Sequence, residues 1–367
     1  MIDKILRKVF KGDKPVRVSA KELAVILENH RHWLAKDCEG WKNMRADLEG
    51  KDLSGLDLTG ADFRKARLRL VDFVGAKMAG VKLSGAELWY ADLTGADLTG
   101  ADLSRTDVEN ADFSGANLTG VNFNKAKGCE AALSGADLTG AKLTGTNFSE
   151  ADFSGAKCVK TNFKDAYIRE AIFAKATFTG AIFGNTYVAE GDFSGAMLDK
   201  VDFSALRDSS RVNFSNASLR EANLRASLGE AKFNGANLSG ADFSGAWLNG
   251  ANFARADLTG ANFTKADLED AKFGKAILDG ADFSGAEMKG TSINEKQLAK
   301  TASPKKAKVM PKTKETFKVT VTYTTIIEAI GATPAERQAA AEREAWGNLV
   351  SKLDAGNVVT KAVSTGK

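Results

Sequence analysis

A five-residue period governs most of this chain and constrains its fold more than any other feature. Ala91-Asp-Leu-Thr-Gly, Ala96-Asp-Leu-Thr-Gly and Ala101-Asp-Leu-Ser-Arg follow one another directly, and the pattern returns from Ala231-Lys-Phe-Asn-Gly to Ala281-Asp-Phe-Ser-Gly. With the large apolar residue as centre, the series runs from Leu48 to Ile293 in 50 repeats. The period also accounts for the composition: 35 Gly against 4 Pro matches neither collagen nor disordered sequence, and Gly falls at the last position of the repeat, where a chain turns a corner.

Five residues fit neither the 3.6-residue turn of a helix nor the two-residue alternation of a strand. A small residue two places before a Leu or Phe, with Asp, Asn, Ser, Thr and Gly between, resembles the pentapeptide-repeat family, A-(D/N)-L-x-x, over about two thirds of the chain. The resemblance implies an all-β repeat fold, a right-handed quadrilateral β-helix with four pentapeptides per coil. In that fold the centre and the residue two before it point inward, and the other three point outward.

Sorting the centres by a 20-residue coil gives an independent check. One face reads Phe73, Phe113, Phe153, Phe173, Phe193, Phe233, Phe253 and Phe273, and the opposite face reads Phe63, Phe123, Phe163, Phe183, Phe203, Phe243, Phe263 and Phe283. The two faces between them are mostly Leu, with Phe148 and Phe178 as exceptions. Two facing Phe columns with Leu and Ala filling the remainder predict a packed interior about 60 Å long, at about 4.8 Å per coil.

The register breaks once. Phe203 and Phe214 are separated by eleven residues where ten are expected, and Leu224 and Leu228 by four where five are expected, so the two shifts cancel. Leu206 to Arg211 reads as a bulge on the face lined by Leu48, with Asp208 at the displaced centre. Gly128 is a second weak centre on that face.

The expected organisation has four parts: a basic N-terminal segment and capping helix over 1–45, the β-helix over 46–295, a Lys-rich linker over 296–315, and a small α+β module over 316–367. Ser19 with Glu22 opens the capping helix, which carries Leu23, Ile26, Leu27, Trp33 and Leu34 on an apolar stripe. In the last module, Phe317 to Tyr323 alternate as a strand and Thr333-Pro-Ala-Glu336 opens a helix; so thin a core predicts self-association through 316–367. Charge follows these divisions. Residues 46–295 hold 27 Lys and Arg against 35 Asp and Glu, whereas 1–45 hold 11 against 6 and 296–367 hold 13 against 6.

The residues for catalysis are scarce. The only histidines, His30 and His32, share the capping helix, so a Ser or Cys in the repeats lacks the His base that a nucleophilic triad needs. His30, His32 and Cys38 have the wrong spacing for a metal site, because helix positions two apart point to different sides. A phosphate-binding Gly loop followed by Lys and Ser or Thr is missing from the sequence, so neither enzyme, cofactor nor metal is expected. Three cysteines suggest no disulfide framework, and no apolar run is long enough for a signal peptide or membrane span; a cytoplasmic protein is the expectation.

The expected function is therefore a non-catalytic rod serving as a protein–protein interaction scaffold. The resemblance also implies an alternative, a DNA-mimicking binder of a type II topoisomerase, DNA gyrase or topoisomerase IV. Its candidate is an acidic belt of Glu87, Asp92, Asp97, Asp102, Asp107, Glu109 and Asp112 against one Arg105. Direct nucleic-acid binding is not expected of so acidic a rod. A third class is a secreted effector or membrane-associated rod, suggested by the basic stretch Lys4 to Arg17.

For partner binding, the candidates are the aromatics that should point outward: Trp89, Tyr90, Tyr167, Tyr187 and Trp247. All lie on the Leu48 face, with Arg207 and Arg211 in the irregular loop on the same side. These residue types dominate interface hot spots.

Overall fold

The computed structural model of the chain describes residues 15–302. Most of the expected linker and the whole 316–367 module, with its expected self-association, lie outside the described residues.

The repeats wind as a right-handed quadrilateral β-helix with a 20-residue coil. The residue before each centre pairs in parallel with its equivalent one coil on: Asp47 with Arg67, Asp92 with Asp112, Asp242 with Asn262. Ladder and corner bonds alternate. Asp97 N donates to Ala76 O at 3.0 Å and Leu98 N to Asn117 O at 2.8 Å, while Ala96 N closes the intervening corner on Leu93 O at 3.0 Å. Each wall is thus only a few residues wide, which is why strand alternation never develops in the sequence.

Centres and the small residues two before them make the core, nearly all of them fully buried from Leu48 to Ile293. The Phe columns stack along the rod and meet edge-on across it. Phe233 and Phe253 stack at 4.9 Å, Phe243 and Phe263 at 4.7 Å, and Phe233 meets Phe243 at 5.6 Å and 90°.

The exceptions in the Leu columns come with small neighbours. A Cβ at Gly128 would lie 2.3 Å from the ring of Phe148, so the weak centre and the misplaced Phe one coil later are a single unit of packing. Likewise Cys158, fully buried, sits one coil before Phe178, with Lys157 paired to Thr177. Total volume is kept while its distribution changes.

The register break is real, but its position differs from the sequence reading. Tyr187 pairs with Asp208 and Asp192 with Asn213, an offset of 21, and Asn213 pairs with Lys232, an offset of 19. Asp208 therefore occupies the outward position, ion-paired with Arg169 at 3.5 Å, and Ser209 is the buried centre. Arg207 is displaced from the outward column that was expected to hold it. The physical reason is cost: the chain places its extra residue so that a hydroxyl is buried, donating to Ser227 O at 2.5 Å, and a carboxylate is left outside.

Both ends of the coil are closed by helices. Strand β1 (Val16–Arg17) adds in parallel to β2 (Lys51–Asp52), with Arg17 on Asp52 at 2.9 Å, so the end of the basic stretch Lys4 to Arg17 is spent on the first coils. Helix α1 (Ala20–Ala35) begins at Ser19, whose Oγ accepts from Glu22 N. His30 fastens it to the rod: its Nδ1 accepts from Ala46 N and its Nε2–H donates to Arg64 O, both at 3.0 Å. At the far end α2 (Glu295–Leu298) is capped by Asn294 and Gln297, and Gln297 Nε2 donates to Phe273 O and Ala276 O at 3.0 Å. Carbonyls that would be orphaned at an open end are thereby satisfied.

Candidate interaction face

On the outside, most repeats carry Asp or Asn before the centre, and its side chain does local work. Oδ1 accepts from the N–H two residues on, as Asp152 does from Ser154 at 2.8 Å and Asn252 from Ala254 at 3.0 Å. This Asx bond starts the corner. At the end of the corner the last residue of the repeat is left-handed, whether Gly, as at Gly155 (φ 66), or another residue, as at Glu150 (φ 61).

The acidic belt follows this turn chemistry. Asp92, Asp97, Asp102, Asp107 and Asp112 each accept from the backbone two residues on, at 2.9–3.3 Å. Glu87 takes Arg45 at 2.7 Å and Arg69 at 3.6 Å. Because successive repeats occupy successive walls, the belt rings the rod, and at most three of its seven acids share a wall.

The candidate aromatics fall into three places. Trp89 and Tyr90 meet edge-on at 5.7 Å in the early coils, with the Arg69 guanidinium over Trp89 at 5.2 Å. Tyr167 and Tyr187 stack at 4.5 Å and 4° midway along the rod. Trp247 lies over Gly229, where a Cβ would come within 2.7 Å of the indole, and is half exposed. About four coils, or 19 Å, separate the first place from the second, and about three, or 14 Å, the second from the third. Arg211 is held by Glu190, and Arg207 is exposed beside Asp208.

The aromatic search missed aliphatic residues. Ile172, Ile182 and Met197 are exposed at outward positions where the repeat favours Asp or Asn, at 41%, 52% and 57%. With Tyr167, Thr177 and Tyr187 they form an uncharged collar around the middle of the rod. The same sorting by position, extended to aliphatic residues, would have found them.

The corner between the Leu48 wall and the next is also distinct. Its last positions read Glu130, Glu150, Glu170 and Glu190 on four successive coils, all left-handed, whereas the next corner reads Gly135, Gly155, Lys175 and Gly195. A residue with Cβ costs about 1 kcal/mol more than Gly in that conformation. Beyond Glu190 a groove of about 350 Å³ opens between Glu190, Asp192, Arg211, Asn213, Glu230 and Lys232.

Both histidines are hydrogen-bonded within the fold. Both ring nitrogens of His30 bond to backbone, and burial lowers its imidazole below the ordinary value. His32 turns the other way, as the spacing implied, and bonds Asp37 at 2.7 Å. Ligand atoms of His32, Asp37 and Cys38 lie within 4.8 Å of one another, so Asp37 replaces His30 in the only metal-like grouping among the described residues; Arg31 reaches both His32 and Asp37. Burial raises the thiol of Cys158, and burial with the nearby Glu109, Glu150 and Glu130 raises that of Cys129, above the ordinary value. Among the described residues no helix is long and apolar enough to cross a membrane.

Comparison with a family model agrees with the five-residue period. The family model described as pentapeptide repeats (8 copies) matches over seven segments, residues 45–75, 76–115, 109–145, 146–185, 210–246, 236–274 and 266–295. Among solved structures, HetL, involved in heterocyst differentiation regulation in the cyanobacterium Nostoc sp. Strain PCC 7120, is 26% identical; 75% of this chain and 96% of that chain are covered, with a TM-score of 0.18. Full-length QnrB1, a plasmid-mediated fluoroquinolone resistance protein, is 22% identical over 68% of this chain and 96% of that chain, with a TM-score of 0.23. A pentapeptide repeat protein from the Arabidopsis thaliana thylakoid lumen is 39% identical over 29% of this chain and 67% of that chain, with a TM-score of 0.17. No curated protein sequence matches. The period, the 20-residue ladder and the family match together place this chain in the pentapeptide repeat family.

Proposed function

We propose that the protein is a non-catalytic interaction scaffold that binds a protein partner through its Leu48 face. The observation that carries this reading is the Tyr167–Tyr187 stack in the middle of that wall, with Tyr167 exposed and Tyr187 half-buried against it. Aromatic side chains give large contact area at low entropic cost, and here they stand where the repeat would use an Asx-forming residue. The engaged histidines and the raised thiols support the absence of catalysis.

A pull-down with the intact chain, followed by affinity measurement, tests the face. Tyr187→Ala and Arg207→Glu, singly, should weaken the captured partner at least tenfold and leave the melting temperature within a few degrees. Undiminished affinity in both variants overturns the assignment. The topoisomerase alternative demands inhibition of DNA supercoiling by gyrase, or relief of quinolone inhibition, that is lost on charge reversal at Asp92, Asp97 and Asp102.

A further inference from the structure

We propose that the collar beside the Tyr167–Tyr187 stack seats a cationic amphipathic segment of the protein partner; the proposal rests on reading the rod as an interaction scaffold. Its first support is the run of outward residues Tyr167, Ile172, Thr177, Ile182 and Tyr187. One coil earlier the first four equivalents are Asn147, Asp152, Lys157 and Asn162. Tyr and Ile carry no acceptor for the Asx bond, so these repeats give up a local hydrogen bond and expose apolar surface in exchange. Single exposed apolar residues are ordinary, but here the stacked tyrosines share one wall and Ile172 and Ile182 stand on the two walls that flank it, a grouping that marks an interaction site.

The charge at the adjoining corner selects the occupant. Glu170 stands at the corner between Tyr167 and Ile172, and Glu150 and Glu130 continue its column one and two coils earlier. Successive coils bring these carboxylates to about 4.8 Å spacing. None of the three has an ion-pair partner among the described residues, whereas Glu190 takes Arg211. An apolar or acidic partner would desolvate them unpaired, and nucleic acid would be repelled. Lys and Arg on one side of an amphipathic segment would pair with the corner while its apolar side covers the Tyr stack and Ile172. Four coils of ladder span about 14 Å, the length of roughly ten helical residues.

A labelled 14-residue Leu/Lys peptide of amphipathic helical pattern provides a direct probe, with its Leu/Glu counterpart as control. Fluorescence anisotropy on the full chain should show saturable binding of the Leu/Lys peptide alone. Tyr187→Ala, and separately Glu150→Gln with Glu170→Gln, should each weaken it at least tenfold. Asp97→Asn with Asp102→Asn, which removes equal charge elsewhere, should change it less than twofold. Equal binding of both peptides, or equal loss in the corner and control variants, overturns the proposal. A partner from the pull-down that depends on Tyr187 but ignores Glu150→Gln with Glu170→Gln also overturns it, and leaves the scaffold reading standing.

Discussion

The coils around Phe233 to Phe263 and those around Phe163 to Phe203 have the same backbone and opposite habits. In the first, stacked rings lie within 2° of parallel, rings across the rod meet at 89–90°, and the outward residues Asn252, Asp257 and Asn262 hold their turns. In the second, Phe178 crowds in beside Phe163, Phe183 and Phe193 at tilts of 48–53°, and the outward side carries the apolar collar. The difference separates two demands on one repeat. Regular coils satisfy folding alone; the middle coils depart from the rule inside and outside together, where local inconsistency points to function.

The largest test of the contrast is in the core. Phe243→Ala, in a stack with no slack, should lower stability by about 3–5 kcal/mol in urea unfolding. Asn234→Ala, on the surface, should cost under about 0.5 kcal/mol. Equal shifts of the denaturant midpoint would show that the inward assignment is wrong.

Next is His30, where α1 meets the regular coils. His30→Ala leaves Ala46 N–H and Arg64 C=O without partners and should cost about 1–3 kcal/mol. Its pH dependence has a definite sign. Because burial lowers the folded imidazole below 6.5, the neutral form stabilises the junction at higher pH. As pH falls below 6.5 the unfolded chain takes up a proton that the folded chain resists, and stability drops until the lower folded value is passed. Parallel pH series of denaturation for wild type and His30→Gln check this: the extra loss in mild acid should belong to wild type alone.

Compensated packing gives a smaller effect with a sharper signature. Gly128→Leu and Phe148→Leu should each destabilise by about 1–3 kcal/mol, the first by overpacking and the second by leaving a void. Together they restore an ordinary Leu column, so the double-mutant cycle should recover more than about 1 kcal/mol. Additive losses would mean that the two positions are not one packing unit.

The smallest effect concerns the collar. Ile172→Asn returns the repeat's own residue and its Asx bond, so stability should rise or stay within about 0.5 kcal/mol by thermal unfolding. A clear loss would make the collar a structural element of the rod rather than surface exposed for a partner.

Much of this was legible because a solenoid writes its fold locally: each coil touches only its neighbours, so the period, read through its resemblance to the pentapeptide-repeat family, assigned Phe73, Leu98 and Ala91 to the interior. Asp208 was misplaced because sequence spacing counts residues but cannot say which of two adjacent ones is buried; desolvation decided for Ser209. Ile172, Ile182 and Met197 escaped because the outward search looked for aromatic residues alone. His30 was legible as a helix residue, but its hold on Arg64, 34 residues away, was not.

By itself, the sequence determined the five-residue period, repeated 50 times, and the cancelling shifts of register, and its resemblance to the pentapeptide-repeat family, checked by the sorting of Phe and Leu centres, supplied the coil length and the inward and outward sets. Only the tertiary structure decided that Gly128 answers Phe148, that Glu130, Glu150 and Glu170 form one ladder, and that Gln297 closes the last coil. Those relations join residues about one coil apart in sequence, and they become contacts because winding converts a 20-residue separation into a single strand spacing of about 4.8 Å.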